Sequence, residues 1–235
     1  MNDDHQRPET ASADDPDSPK VVPLSANARR VLGVLVEKAK TTPDSYPLTA
    51  AGLIAGSNQK SNRSPKMELD EGDVLLALDE LRRVGAAREV HGSGRVIKYR
   101  HSAYDWLNVD GPGSAVMTEL LLRGPQTVGE LRTRASRMHE LPDLAATSQV
   151  IEQLVEKGLV EAMTPPGRGQ LFAHTLYTPH EKQHLYARID KQIEVPSPGP
   201  TPAESKDVVD QLLGRLDEVN QRIDSLEKRI AELES

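Results

Sequence analysis

Pro47-Leu48-Thr49-Ala50-Ala51-Gly52-Leu53 and Pro125-Gln126-Thr127-Val128-Gly129-Glu130-Leu131 are two versions of one pattern, a proline, then a threonine, then a leucine. The threonine is placed to cap a helix whose first apolar residue is the leucine. Downstream, each copy has a leucine-rich helix that stops at a glycine, Leu81-x3-Gly85 and Leu154-x3-Gly158, followed by two short strands around a glycine turn. Helix, helix, helix and hairpin, written twice, predict a mainly α fold with small β-hairpins (α+β), organised as two tandem winged-helix domains.

The first copy spans residues 24–101. Ser25 is the expected N-cap of its first helix, with Val31, Leu32, Leu35 and Val36 at helical spacing; Thr49 caps a short second helix over 50–55, broken by Gly56. Asp70 caps the third, whose buried stripe reads Val74, Leu75, Leu78 and Leu81. Gly92-Ser93-Gly94 is the turn of a hairpin wing. Residues 102–113 connect the copies and hold the only tryptophan, Trp106, whose large apolar area suits a packing anchor. The second copy, 114–180, repeats the plan, with helices built on Val116, Leu120 and Leu121, on the segment after Thr127, and on 144–157; its wing runs 159–174. An extension and a proline-rich linker occupy 181–206, where Pro196, Pro198, Pro200 and Pro202 predict an extended spacer at roughly 3.1 Å per residue.

Composition narrows the class. No cysteine is present among 235 residues, so no disulfide, thiol nucleophile or thiolate metal site is available. No apolar run approaches the roughly 18 residues needed to span a bilayer, and the sequence reads as a cytoplasmic protein without membrane contact. The net charge of -7 is uneven: residues 1–20 carry two basic and six acidic groups, 191–235 carry six and ten, and the 21 basic and 20 acidic groups between them nearly cancel. Residues 1–23 are expected to be a disordered acidic tail. A DNA-binding protein with this charge must rely on a local cationic patch.

Several strings resemble the YceH-like family of uncharacterised bacterial proteins: Glu37-Lys38, Thr41-Thr42-Pro43, Tyr46-Pro47-Leu48-Thr49, Asn58-Gln59-Lys60, Asn62-Arg63, Lys98-Tyr99, Leu121-Leu122-Arg123-Gly124-Pro125-Gln126-Thr127, Gly129-Glu130-Leu131-Arg132 and Arg137-Met138. The resemblance covers about residues 24–180 and implies tandem winged helices; it implies no reaction and no ligand. Ser57 stands where the resemblance leads us to expect a cysteine.

His180-Glu181-Lys182-Gln183-His184 is a literal H-E-x-x-H, which on an apolar helix would hold zinc with the glutamate as general base. This makes a zinc peptidase the remote alternative. The middle positions are polar, Pro179 precedes the motif, and the acidic candidates for a third ligand lie in the linker or the tail. No other catalytic string occurs, so the sequence predicts no catalytic residue, no metal, no cofactor and no enzymatic activity.

Binding is the better class. Helix three of a DNA-reading winged helix enters the major groove, yet here it opens Asp70-Glu71-Gly72-Asp73 and continues with Asp79 and Glu80, and its counterpart carries Glu152 and Glu156. That favours a protein-interaction adaptor whose partner protein the sequence does not name. The alternative is weak, non-specific backbone contact with duplex DNA through loop and wing cations: Lys60, Arg63, Lys66, Arg95, Lys98, Arg132, Arg134, Arg137 and Arg168. Finally, residues 207–235 form a heptad pattern with Val209, Leu216, Ile223 and Ile230 at a and Leu212, Val219, Leu226 and Leu233 at d. β-branched a positions with Leu at d predict a parallel coiled-coil homodimer.

Overall fold

A computed structural model of the chain describes residues 21–91, 96–167 and 169–194, except for the side chains of Asp190 and 192–194. The expected acidic tail up to residue 20, the linker from 195 and the coiled-coil seam, Val209 to Leu233, lie outside the described residues. The chain divides into two units, 1–187 and 188–235.

The order helix, strand, helix, helix, strand, strand occurs twice. The first copy is α1 (Ala26–Thr41), β1 (Leu48–Thr49), α2 (Ala50–Ser57), α3 (Glu71–Arg83), β2 (Ala87–Val90) and β3 (Lys98–His101). A short α4 (Ala103–Leu107) leads into the second: α5 (Gly111–Arg123), β4 (Gln126–Thr127), α6 (Val128–Ala135), α7 (Leu144–Glu156), β5 (Val160–Ala162) and β6 (Leu171–His174), followed by α8 (Pro179–Glu194). Each copy closes a three-stranded antiparallel sheet of the same order, β1-β3-β2 and β4-β6-β5.

Local chemistry repeats with the topology. Thr49 accepts from Gly52 N–H and Thr127 from Glu130 N–H, so both second helices start on the threonines of the opening motif. Both third helices end alike. Gly85 (φ +79°) and Gly158 (φ +71°) take the left-handed conformation, and the following N–H returns to a leucine carbonyl, Ala86 to Leu81 at 2.8 Å and Leu159 to Leu154 at 2.9 Å. This is the Schellman arrangement, which satisfies carbonyls the helix leaves open. The leading acids of α3 form a capping box, Asp70 with Asp73.

One apolar core runs through both copies, from Leu24 to Leu176. At its centre α1 packs on α5, which is buried at every position from Gly113 to Leu122. Gly33 makes that approach close, since a Cβ there would lie 2.8 Å from Leu122. Residues 102–113 are therefore structured, holding α4 and the first turn of α5, and Trp106 is buried among them. Two local expectations are corrected. Gly56 does not break α2 but lies within it, because its missing side chain admits Val34 of α1. Leu75 is not in the buried stripe of α3, which is Val74, Ala77, Leu78 and Leu81; Leu75 is 43% exposed and Leu76 71%.

Candidate interaction surfaces

The cations selected from the sequence divide by what holds them. Arg63, expected at the surface, is buried: its guanidinium grips Glu37 of α1 in a bidentate pair (3.1 and 2.5 Å) and also donates to Gly56 O and Asn62 O. Arg137 reaches the same carboxylate at 2.6 Å and Glu119 of α5 at 2.5 Å, while Arg123 lies 3.3 Å from the other oxygen of Glu119. Both glutamates are buried, and the network joins the first helices of the two copies. Burial by itself would push the Glu37 carboxyl up, but Arg63 and Arg137 hold it below the usual carboxylate range. Ser64 N–H donates to Leu122 O at 3.0 Å and Asn62 Oδ1 accepts from Arg123, so the polar segment after α2 straps the copies together. Arg63 and Arg137 thus hold the two copies together, Arg63 from a buried position and Arg137 from an exposed one. The signal for this was a glutamate inside each apolar helix, Val36-Glu37 and Thr118-Glu119, since a buried carboxylate needs a partner.

Of the other cations, Arg134 pairs with Glu130 (3.0 Å) and donates to Gln126 (2.7 Å), and Arg132 donates to Pro142 O (2.6 Å). Lys60, Lys66 and Lys98 are exposed, and among the described residues nothing pairs with them. Arg95 and Arg168 fall outside the described residues.

The H-E-x-x-H string opens α8. His180 and His184 face each other with Nε2 atoms 3.1 Å apart, both in solvent. Glu181, the would-be general base, is fully engaged: Thr178 donates to it from N–H (3.0 Å) and Oγ1 (2.8 Å), and Arg29 pairs with it at 2.6 Å. Arg29 draws its carboxyl down to about 2. Among the described residues no three His, Asp or Glu side chains group to hold a metal ion.

A cleft of about 710 Å³ lies where 21–23 pass Trp106, Leu107 and Lys157, but the ammonium of Lys157 is spent on Asn108 O at 2.5 Å. The outward face of α3 is different. Leu75 and Leu76 stand in water beside Asp79, which is bridged by Arg82 to Glu89 of β2, and Val96 and Ile97 of the adjacent hairpin are exposed as well.

Residues 24–168 match the model of the family described as "Protein of unknown function, DUF480", and the chain belongs to that family. It is 66% identical to a UPF0502 protein of Rhodopirellula baltica over 84% of this chain and 82% of that one. It is 43% identical to a UPF0502 protein of Geotalea uraniireducens (80% and 84%) and 36% identical to one of Dechloromonas aromatica (89% and 92%). The YceH-like resemblance agrees with this membership. No helix among the described residues is long and apolar enough to cross a membrane.

Proposed function

We propose that this chain is a non-enzymatic binding protein of the cytoplasm, two tandem winged-helix modules acting as a protein-interaction adaptor, with no metal or cofactor. The observation that carries the reading is the outward face of α3. In a winged helix that reads DNA this face enters the major groove, where polar and cationic groups serve. Here it offers Leu75, Leu76 and Asp79. Exposed leucines beside charged groups suit a protein partner, which returns their apolar surface to a dry environment. The test is capture of partners from lysate by the full chain and by L75S/L76S, with and without nuclease. A nuclease-resistant partner lost in the variant supports the adaptor; capture indifferent to the substitutions sinks it.

Lys60, Lys66 and Lys98 favour a second reading, weak and sequence-independent contact with duplex DNA. A gel shift at two salt concentrations separates the two, since sequence-selective binding that survives moderate salt contradicts both. The heptads of 207–235 make the adaptor a parallel homodimer in this proposal. Light scattering decides that part: a full chain that is monomeric at tens of micromolar, or a form ending at Ile193 that dimerises equally well, refutes it.

A further inference from the structure

The two copies treat the outer faces of their sheets differently. In copy two, Glu161 of β5 stands opposite Ala173 of β6, and Ala173 is wholly buried. Residues one turn apart on α8 reach over the position: Lys182 Nζ lies 2.8 Å from the Glu161 carboxylate and Tyr186 Oη donates to it at 3.1 Å. The equivalent pair in copy one is Arg88 of β2 opposite Arg100 of β3. The equivalence is structural. Ala87↔His101 corresponds to Val160↔His174, and each histidine Nδ1 accepts the N–H two residues on, from Ala103 at 3.3 Å and Leu176 at 3.2 Å. In copy one the chain leaves through α4 toward α5 and supplies no such helix.

Arg88 and Arg100 are exposed, and Lys98 is exposed on the same outward face. Lys40, at the end of α1, lies 5.3 Å above the ring of Tyr104, which sits against His101. Asp105 and Asp44 are near in sequence, yet among the described residues no carboxylate pairs with any of the four cations. Like charges directly opposite in an antiparallel pair are unfavourable, because their Cβ atoms lie only ~5 Å apart. Burial first, and then Arg100, Lys40 and Arg88, hold the His101 imidazole down to about 4.

We propose that the outer face of the first sheet, at Arg88, Lys98 and Arg100, is a docking site for an acidic amphipathic helix of a partner protein. It would occupy in copy one the place that α8 occupies in copy two, with the charges exchanged: cations on the sheet, carboxylates on the helix. A glutamate pair at i, i+4 presents its carboxylates on one face, as Lys182 and Tyr186 present their polar ends. The guanidinium fork accepts a carboxylate in two parallel hydrogen bonds. The net charge of -7 does not oppose this at a distance, because fields beyond about 8 Å are screened at physiological salt. The inference rests on the adaptor reading only in taking a protein as ligand; the test of that reading lies on α3.

The experiment is fluorescence anisotropy of the full chain with labelled probes. They are a helical 18-residue peptide carrying a Glu stripe at i, i+4 beside a Leu stripe, the same composition with the stripes scrambled, a synthetic peptide of residues 207–235, and a 20-base-pair duplex. We expect the striped peptide to bind at least tenfold more tightly than the scrambled one. R88E places an acid where copy two has Glu161, and R88Q/R100Q removes the repulsion. Both should lose at least tenfold in peptide affinity while raising Tm, so lost binding cannot be ascribed to lost folding. The proposal is overturned if the two variants bind the striped peptide like the parent, or if the scrambled peptide binds as well. It is also overturned if the duplex binds more tightly with the same Arg88 dependence, which makes the face a phosphate site. Tighter binding of the 207–235 peptide would overturn it too, by making this chain its own occupant.

Discussion

Where α1 meets α5 the protein buries two carboxylates and the guanidinium of Arg63, whereas on the outward face of α3 it leaves two leucines in water. Each region reverses the ordinary distribution of its residue types. At the seam the reversal is closed internally, because Arg63 and Arg137 fill Glu37 with short hydrogen bonds and neither charge is left alone. On α3 both leucines stay exposed, Leu76 most of all. Buried charge that is fully paired explains cohesion; exposed apolar surface is what the adaptor proposal rests on.

The largest effect should come from breaking the seam. Glu37→Ala leaves Arg63 buried without its carboxylate, and the cost of stranding such a charge is about 3–5 kcal/mol, read as a lower denaturation midpoint. Lys60→Ala, exposed on the same strap, should change stability by less than ~0.5 kcal/mol. If the two variants unfold alike, the network is not what joins the copies.

The helix stops are expected to behave identically in the two copies. An added Cβ at Gly85 or Gly158 meets nothing within 4 Å, so Gly→Ala costs only the left-handed backbone, roughly 1–2 kcal/mol at each position. Unequal losses would show that the repeat is closer in sequence than in energetics.

Acid should weaken the protein in two stages. His101 and His174 are held to about 4 and about 3, against 6.5 when unfolded, chiefly by burial. Their depressed values mean that the unfolded chain binds the proton first, so stability is full above 6.5 and falls as pH drops toward 4. Glu37, Glu130 and Glu181 also have lowered values. Their contribution is present above about 4.5 and, for Glu181, is lost as pH falls toward about 2. Urea midpoints measured across this range check it, and a flat profile between 6.5 and 4.5 contradicts the histidine stage.

The smallest effect on stability, and the sharpest on function, belongs to α3. L75S/L76S should shift stability by less than ~0.5 kcal/mol per site, because the side chains already face water, while abolishing partner capture. A large destabilisation would mean that the leucines are covered within the molecule, and the contrast with the seam would fail.

Much of this was legible in the chain itself. Thr49 and Thr127 announce their helices because an N-cap acts within three residues, and Gly85 and Gly158 announce their ends because few other residues adopt positive φ readily. Strands near 87–90 and 98–101 follow from the glycine turn between them. Arg63 was misjudged because a polar loop sequence does not reveal that its side chain turns inward to Glu37, 26 residues earlier. Leu75 was misjudged because α3 carries six apolar residues, Val74 to Leu78 and Leu81, and only four of them are buried. Arg88 and Arg100 carry no signal as a pair in the sequence; only the pairing of β2 with β3 sets them side by side. Periodicity, capping and turns depend on neighbours in the chain, so the sequence alone determined the repeat and its elements. Which first helices pair, which charges are buried and which faces stay open depend on contacts between distant residues, and the tertiary structure alone decided them.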